Sequence, residues 1–225
     1  MAYRETPKIR DRKAATREKL LSCALTLVAE EGFRKLQMSQ LATTAGVATG
    51  TLYRYFPSKE KLFAEVFQRA TQTEVDRVGE ALTNSHGEAP ERIQQALRIF
   101  ARRALKAPKL AWALIAEPVE PEVDQQRLEY RLRYAQLFAN AIEQGIHEGS
   151  IPNQPAMLTS TAIVGAISEA LIGPLVTTTS ANHVVNTADQ RPQVINHILR
   201  FCIQGLLATH EPCAGQVNEH EEVTL

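Results

Sequence analysis

Residues 37–59, QMSQLATTAGVATGTLYRYFPSK, read as two short helices around a tight corner, followed by the start of a third. Leu41 and Ala42 belong to the inward face of the first helix. Ala45-Gly46-Val47 makes the corner, where Gly46 supplies the backbone freedom a sharp turn needs. Thr49 opens the second helix, which sends Leu52 inward and Tyr53, Arg54 and Tyr55 outward. Pro57 breaks the chain, and Ser58 is a suitable N-cap for the helix after it, with Lys61 at its third position. This is a helix-turn-helix pattern, whose second helix has the shape to enter a DNA major groove.

On either side the chain reads as helix throughout, with no strand alternation and no repeat. A helix over about 13–31 places Leu20, Ala24, Leu27 and Val28 on one face and ends at Gly32, with Phe33 packing beneath. Residues 1–12 are polar and read as a mobile basic arm. A long helix over about 59–82 carries Leu62, Phe63, Val66, Phe67, Ala70 and Val78 at helical spacing. Pro90 and Pro108 each suit the first turn of a further helix, the second a short one holding Trp112 and Ile115. Pro118 and Pro121 bracket a kinked connection. A helix over about 122–148 aligns Leu128, Leu132, Ala135, Phe138, Ile142 and Ile146. Helices over about 156–177 and 192–209 complete the chain, with a polar loop at 178–190 between them. The expected fold is all-α, with about nine helices. A three-helix helix-turn-helix head with its basic arm spans 1–60, a larger helical body spans 61–210, and a disordered acidic tail spans 211–225.

Composition narrows the function. The chain has 225 residues, 44% hydrophobic and 22% charged, as in a soluble globular protein. Its net charge is zero, but the charge is unevenly placed. Residues 1–62 hold 12 Lys and Arg against 6 Asp and Glu, and the remainder holds 13 against 19. A basic head on an acidic body is an electrostatic footprint for a polyanion. Cys23, Cys202 and Cys213 are widely spaced, which argues against a disulfide framework or a zinc site and fits a reducing cytoplasm. The N-terminus lacks the apolar region of a signal peptide. The most apolar stretch, 156–176, contains Glu169 and Pro174, so it reads as a helix buried on all sides within protein rather than a membrane span. No G-x-G-x-x-G, P-loop, H-E-x-x-H or G-x-S-x-G is present, and the six histidines make no ligand-spaced pair on one helix face. The chain is therefore not expected to be an enzyme, to hold a metal or to need a cofactor.

The DNA-facing candidates follow from chemistry. Thr49 and Thr51 offer hydroxyls to phosphates or base edges, Gly50 lets the backbone come close, and Tyr53 and Tyr55 can reach phosphates or thymine methyls. Arg54 suits a guanine edge or a phosphate. Lys59 stands at a helix N-terminus, where backbone N–H groups also attract phosphate. Arg4, Lys8, Arg10, Arg12 and Lys13 of the arm can lie along the backbone or in a minor groove.

Residues 15–67 resemble the DNA-binding domain of TetR-family transcriptional regulators. The resemblance rests on Glu31-Gly32-Phe33, Leu41-Ala42, Ala45-Gly46-Val47, Thr49-Gly50-Thr51-Leu52-Tyr53-Arg54-Tyr55-Phe56 and Lys59-Glu60-Lys61-Leu62-Phe63. It implies a nine-helix, Ω-shaped homodimer on a palindromic double-stranded DNA operator, with repression relieved by a small-molecule effector. It also implies that Thr49, Gly50, Thr51, Tyr53, Tyr55 and Lys59 occupy DNA-contact positions. One departure stands out: Gln37 occupies the place where the family usually starts its second helix with Ser or Thr. Either that helix begins at a neighbour, or Ser39 shares the phosphate-contact role.

The body supplies the other two candidate sets. A single reading helix covers few base pairs, so a two-fold dimer is expected. Gly165, Ala166, Ala170 and Gly173, with Ile195, Ile198, Leu199 and Cys202, are the expected interface on the last two helices. Phe100, Trp112, Ile115, Tyr134, Phe138, Met157 and Glu169 are the expected lining of a ligand pocket. Glu169, a lone acid in an apolar helix, can meet a ligand or pair with Arg131 or Arg133. The alternative readings are a DNA-binding regulator controlled by a protein partner or without a ligand, and, more remotely, an enzyme using the helical pocket.

Overall fold

The computed structural model describes residues 6–84, 86–179 and 187–208. Among them are nine helices and no strand: α1 (Pro7–Glu31), α2 (Met38–Ala45), α3 (Thr49–Tyr55), α4 (Lys59–Asn84), α5 (Ala89–Lys106), α6 (Pro108–Ile115), α7 (Pro121–His147), α8 (Ala156–Thr179) and α9 (Thr187–Leu207). The all-α architecture expected from the sequence is the one found.

Local chemistry sets the head. Gly46 ends α2 in the left-handed conformation, φ 69° and ψ 36°, and its N–H reaches the carbonyls of Ala42 and Thr43. Glycine adopts that conformation without the Cβ clash that penalises other residues. Ser58 accepts the N–H of Lys61 at 3.3 Å and so caps α4. Leu20, Ala24, Val28, Phe33, Leu41, Leu52 and Phe56 are fully buried and form the head's core. That core continues into the body through Phe33, whose ring lies 5.3 Å from Phe63 and 6.4 Å from Phe67 on α4. Ion pairs Arg17–Glu65 and Glu18–Arg69 also link α1 to α4. They are largely exposed, so burial rather than charge holds the two helices together.

In the body, α7 packs on α4 and α8, α5 packs on α4, and α9 covers α5 and α8. The short α6 touches both α1 in the head and α8 in the body.

Four expectations are corrected. α1 begins at Pro7 rather than Lys13, because proline at the first helical position already has helical φ. Lys8, Arg10, Arg12 and Lys13 therefore ride on a helix, while Arg4 lies outside the described residues. On α7, Leu128 and Leu132 are 51% and 66% exposed. Val123, Tyr130 and Tyr134 take the core there, beside Ala135, Phe138 and Ile142, which are buried as read. Tertiary partners decide it: Tyr130 packs edge to face on Phe67 of α4, and Tyr134 on Phe100 of α5. Helix α8 is buried on one face only, and Leu158, Gly165, Glu169, Gly173 and Val176 are exposed on it. α9 starts at Thr187, so its first turn falls within the expected loop at 178–190, and Pro192 lies inside the helix. The expected tail at 211–225 lies outside the described residues.

Candidate DNA-reading surface and body cavity

Residues 37–59 present an open polar surface built from the start of α2, the outer side of α3 and the start of α4. Gln37, Ser39, Thr49, Gly50, Tyr53 and Arg54 are exposed, and Thr51, Tyr55 and Lys59 are half-buried. Tyr55 rests partly against the core. Gln37 occupies the N-cap of α2 without a side-chain cap hydrogen bond, so that helix starts with its first N–H groups uncapped by a side chain. A Cβ built at Gly50 would meet nothing within 4 Å, so packing within the described chain does not require glycine there. Lys59 Nζ lies 4.8 Å above the Phe63 ring and 3.9 Å from Glu120 Oε1. Its ammonium is held near the head–body boundary but remains one-third exposed.

The body contains a cavity of about 120 Å³ between α4, α5, α6, α7 and α8. Phe100, Ile115, Tyr134 and Phe138 line it, so four of the expected pocket residues converge. Phe100 and Tyr134 meet edge to face with centroids 5.7 Å apart. The polar lining includes the bidentate pair of Arg103 with Glu74, at 2.5 and 2.7 Å. Burial, and secondarily the Glu74 carboxylate, push the Tyr134 hydroxyl well above the usual phenol range, so it stays protonated and able to donate. Arg127, Arg131 and Thr71 also reach the lining. None of these six polar residues except Tyr134 is legible as a pocket residue from sequence, because each is an ordinary polar residue on a helix until its neighbours are known.

Three expected pocket residues lie elsewhere. Trp112 lines a crevice between the end of α1 and α6, with Gly32, Arg34, Glu117 and Pro118. Met157 and Glu169 are exposed on α8, whose cavity face is Val164, Ile167 and Ser168. Successive helical residues are about 100° apart, so Glu169 turns away from a wall that Ser168 joins. No ion pair joins Glu169 to Arg131 or Arg133 among the described residues.

The expected interface set also divides. Ile195, Ile198, Leu199 and Cys202 are buried in the chain's own core, because the apolar stripe of α9 faces α5 and α8. Burial also raises the pKa of the Cys202 thiol. Gly165, Ala170 and Gly173 are exposed and Ala166 is half-buried. Beside them stand exposed apolar side chains: Leu158 at 69% and Phe201 at 69%.

A contact that the sequence does not announce joins the two parts. The Glu117 carboxylate, buried at the end of α6, accepts the N–H of Phe33 at 2.8 Å and of Arg34 at 3.1 Å. Gly32 makes room for it: its φ is 85°, and a Cβ there would stand 2.7 Å from Glu117 Oε1. Arg127 of α7 holds the same end of α6, donating to the carbonyls of Leu114 at 3.1 Å and Glu117 at 2.8 Å. The cavity wall, the α6 terminus and the head are therefore connected by hydrogen bonds.

A helix-turn-helix with an open reading helix, set on a helical body with its own cavity, is the architecture of a DNA-binding regulator. Residues 20–66 match the family profile "Bacterial regulatory proteins, tetR family", and residues 86–171 match "Tetracyclin repressor-like, C-terminal domain". The two stretches together span more than half the chain, which belongs to the TetR family of transcriptional regulators. It is 28% identical over 142 residues to the HTH-type transcriptional repressor KstR2 of Rhodococcus jostii, covering 61% of this chain and 69% of that one. It is 26% identical over 198 residues to the fatty acid metabolism regulator protein of Bacillus subtilis, covering 83% and 93%. The fold is shared with the crystal structure of the transcriptional regulator FadR from Bacillus subtilis in complex with stearoyl-CoA, with TM-score 0.68 and 22% identity over 84% of this chain and 98% of that one.

Proposed function

We propose that this regulator acts in the cytoplasm as a homodimer, represses by binding a palindromic operator, and is released when a small molecule occupies the body cavity. The observation that carries this reading is the exposed run Thr49, Gly50, Tyr53 and Arg54 on α3. Gly50 is free of internal packing demands, so its bare Cα serves close approach of the helix to a DNA backbone. The relative described as a repressor and the neighbour bound to stearoyl-CoA support repression and ligand control. The matched family is one of regulators, which favours binding over turnover.

Tyr53→Phe and Lys59→Ala test the docking. Each is expected to weaken operator binding about tenfold, the lower part of the range for one lost contact. Lys59→Ala should also reduce the slope of log K against log salt by about 0.9, the value for one released phosphate contact. Sedimentation should show both variants still dimeric. Unchanged operator affinity in both contradicts this docking.

For the dimer, the outer face of α8 and α9 supplies the contact: Leu158, Gly165, Gly173 and Val176 with Phe201 and Gly205. The glycines allow close helix approach, and Phe201 gives an apolar anchor. Phe201→Asp is expected to raise the dimer dissociation constant at least about 100-fold, by burying a charge without a partner. Because Phe201 is exposed within one chain, the helical circular dichroism of the monomer should be retained. A variant that stays dimeric at the same concentrations rules this face out.

A further inference from the structure

We infer that the ligand is an amphiphile with an apolar body and an anionic group, and that Arg127 and Arg131 read the anion; this rests on the cavity being the effector site. The wall formed by α7 runs from Arg127 through Tyr130, Arg131 and Tyr134 to Phe138. That stripe is roughly 16 Å long at 1.5 Å per helical residue. Its far end is apolar, with Phe138, Leu97, Val164 and Ile167. Its near end, beside the terminus of α6, carries two guanidiniums one helical turn apart.

The charge inventory favours an anion. The lining holds three arginines and one glutamate, and Glu74 is already paired with Arg103. Arg131 makes no ion pair or hydrogen bond among the described residues. Arg127 is ion-paired with Asp124 at 2.9 Å; burial disfavours its positive charge, Asp124 favours it, and the nearby Arg131 opposes it less strongly. Two like charges at the rim of an apolar cavity are relieved by a carboxylate or phosphate between them. A separate observation also points to an occupant. The Thr71 hydroxyl, on the α4 wall, is buried and has no hydrogen-bond partner. A polar atom of a ligand would satisfy it, and buried polar groups are seldom left unpaired.

The position of Arg127 makes the same site a trigger. In this state its guanidinium holds α6 by the carbonyls of Leu114 and Glu117. An anion drawing Arg127 into the cavity takes hydrogen bonds from the end of α6, and Glu117, two residues beyond that helix, grips the head through Phe33 and Arg34. The cavity of about 120 Å³ is below the roughly 300–1,000 Å³ of typical ligand sites, so a longer occupant must also move a wall. The eight-residue α6 is the shortest element in that wall.

The test uses the full-length protein and four ten-carbon probes: decanoate, decyl phosphate, decanol and decyltrimethylammonium. Calorimetry is expected to show one or both anions binding at least about tenfold more tightly than decanol, with the cation weakest. Arg131→Gln should weaken the anions about tenfold and leave decanol affinity in place. The bound anion should also lower affinity for a duplex selected from random DNA by the wild-type protein. Equal binding of decanol and the anions, no binding of any probe, or an unaltered anion affinity in Arg131→Gln each overturns the anion site. Anions that bind through Arg131 without lowering DNA affinity uphold the site, but overturn the trigger and ligand release with it.

Discussion

Glu117→Ala is expected to lose about 2–4 kcal/mol of folding stability, because two backbone donors lose their acceptor. The N–H of Phe33 is buried, so water cannot readily replace the carboxylate; the N–H of Arg34 is partly open and contributes less. Chemical denaturation at fixed protein concentration measures this loss. The functional effect is more telling. Without Glu117 the head keeps its contact with α4 but loses its hydrogen bonds to α6. Ligand binding should persist while the change in operator affinity caused by ligand shrinks toward none, since coupling needs a contact that differs between the two states. Glu117→Gln retains one acceptor oxygen for Phe33 and should fall between wild type and alanine in both measurements. A Glu117→Ala protein with full stability and undiminished ligand response contradicts the role of this contact.

Phe33→Ala has the larger expected cost in stability, about 3–5 kcal/mol, typical for removing a buried aromatic ring. Phe33 has no exposed surface and meets both Phe63 and Phe67. Its loss opens a void where the head core meets α4, so the head should loosen before the body. Hydrogen exchange is expected to speed up in α1–α3 more than in α7 and α8. A loss near 1 kcal/mol, or uniform acceleration, would place the ring outside the main core.

The head was legible in the sequence because its signals are local. Gly46, Ser58 and the spacing of Leu41 and Leu52 each specify backbone geometry within a few residues, and the structure places them as read. The body was legible only as helices. Two stripes compete on α7, and nothing local ranks Leu128 and Leu132 below Tyr130 and Tyr134; the shape of α4 opposite them does. The apolar residues of α9 suit an interface or a core equally well, and contact with α5 and α8 assigns them to the core. Glu117 was invisible for a related reason: its partners are backbone N–H groups more than 80 residues away. Trp112 gains a different use from its position. It lies in the crevice beside Gly32 and Glu117, so its fluorescence reports the joint between head and body rather than the cavity.

The central claim, sequence-specific reading of DNA by α3 of a two-fold dimer, is tested most directly by selecting duplexes from a random pool with the full-length protein. The account predicts an enriched inverted repeat, with half-site centres separated by about 10 base pairs or a multiple of that turn, whose binding is weakened by Tyr53→Phe. A pool that shows no enrichment, or enriches a site without two-fold symmetry, would contradict it.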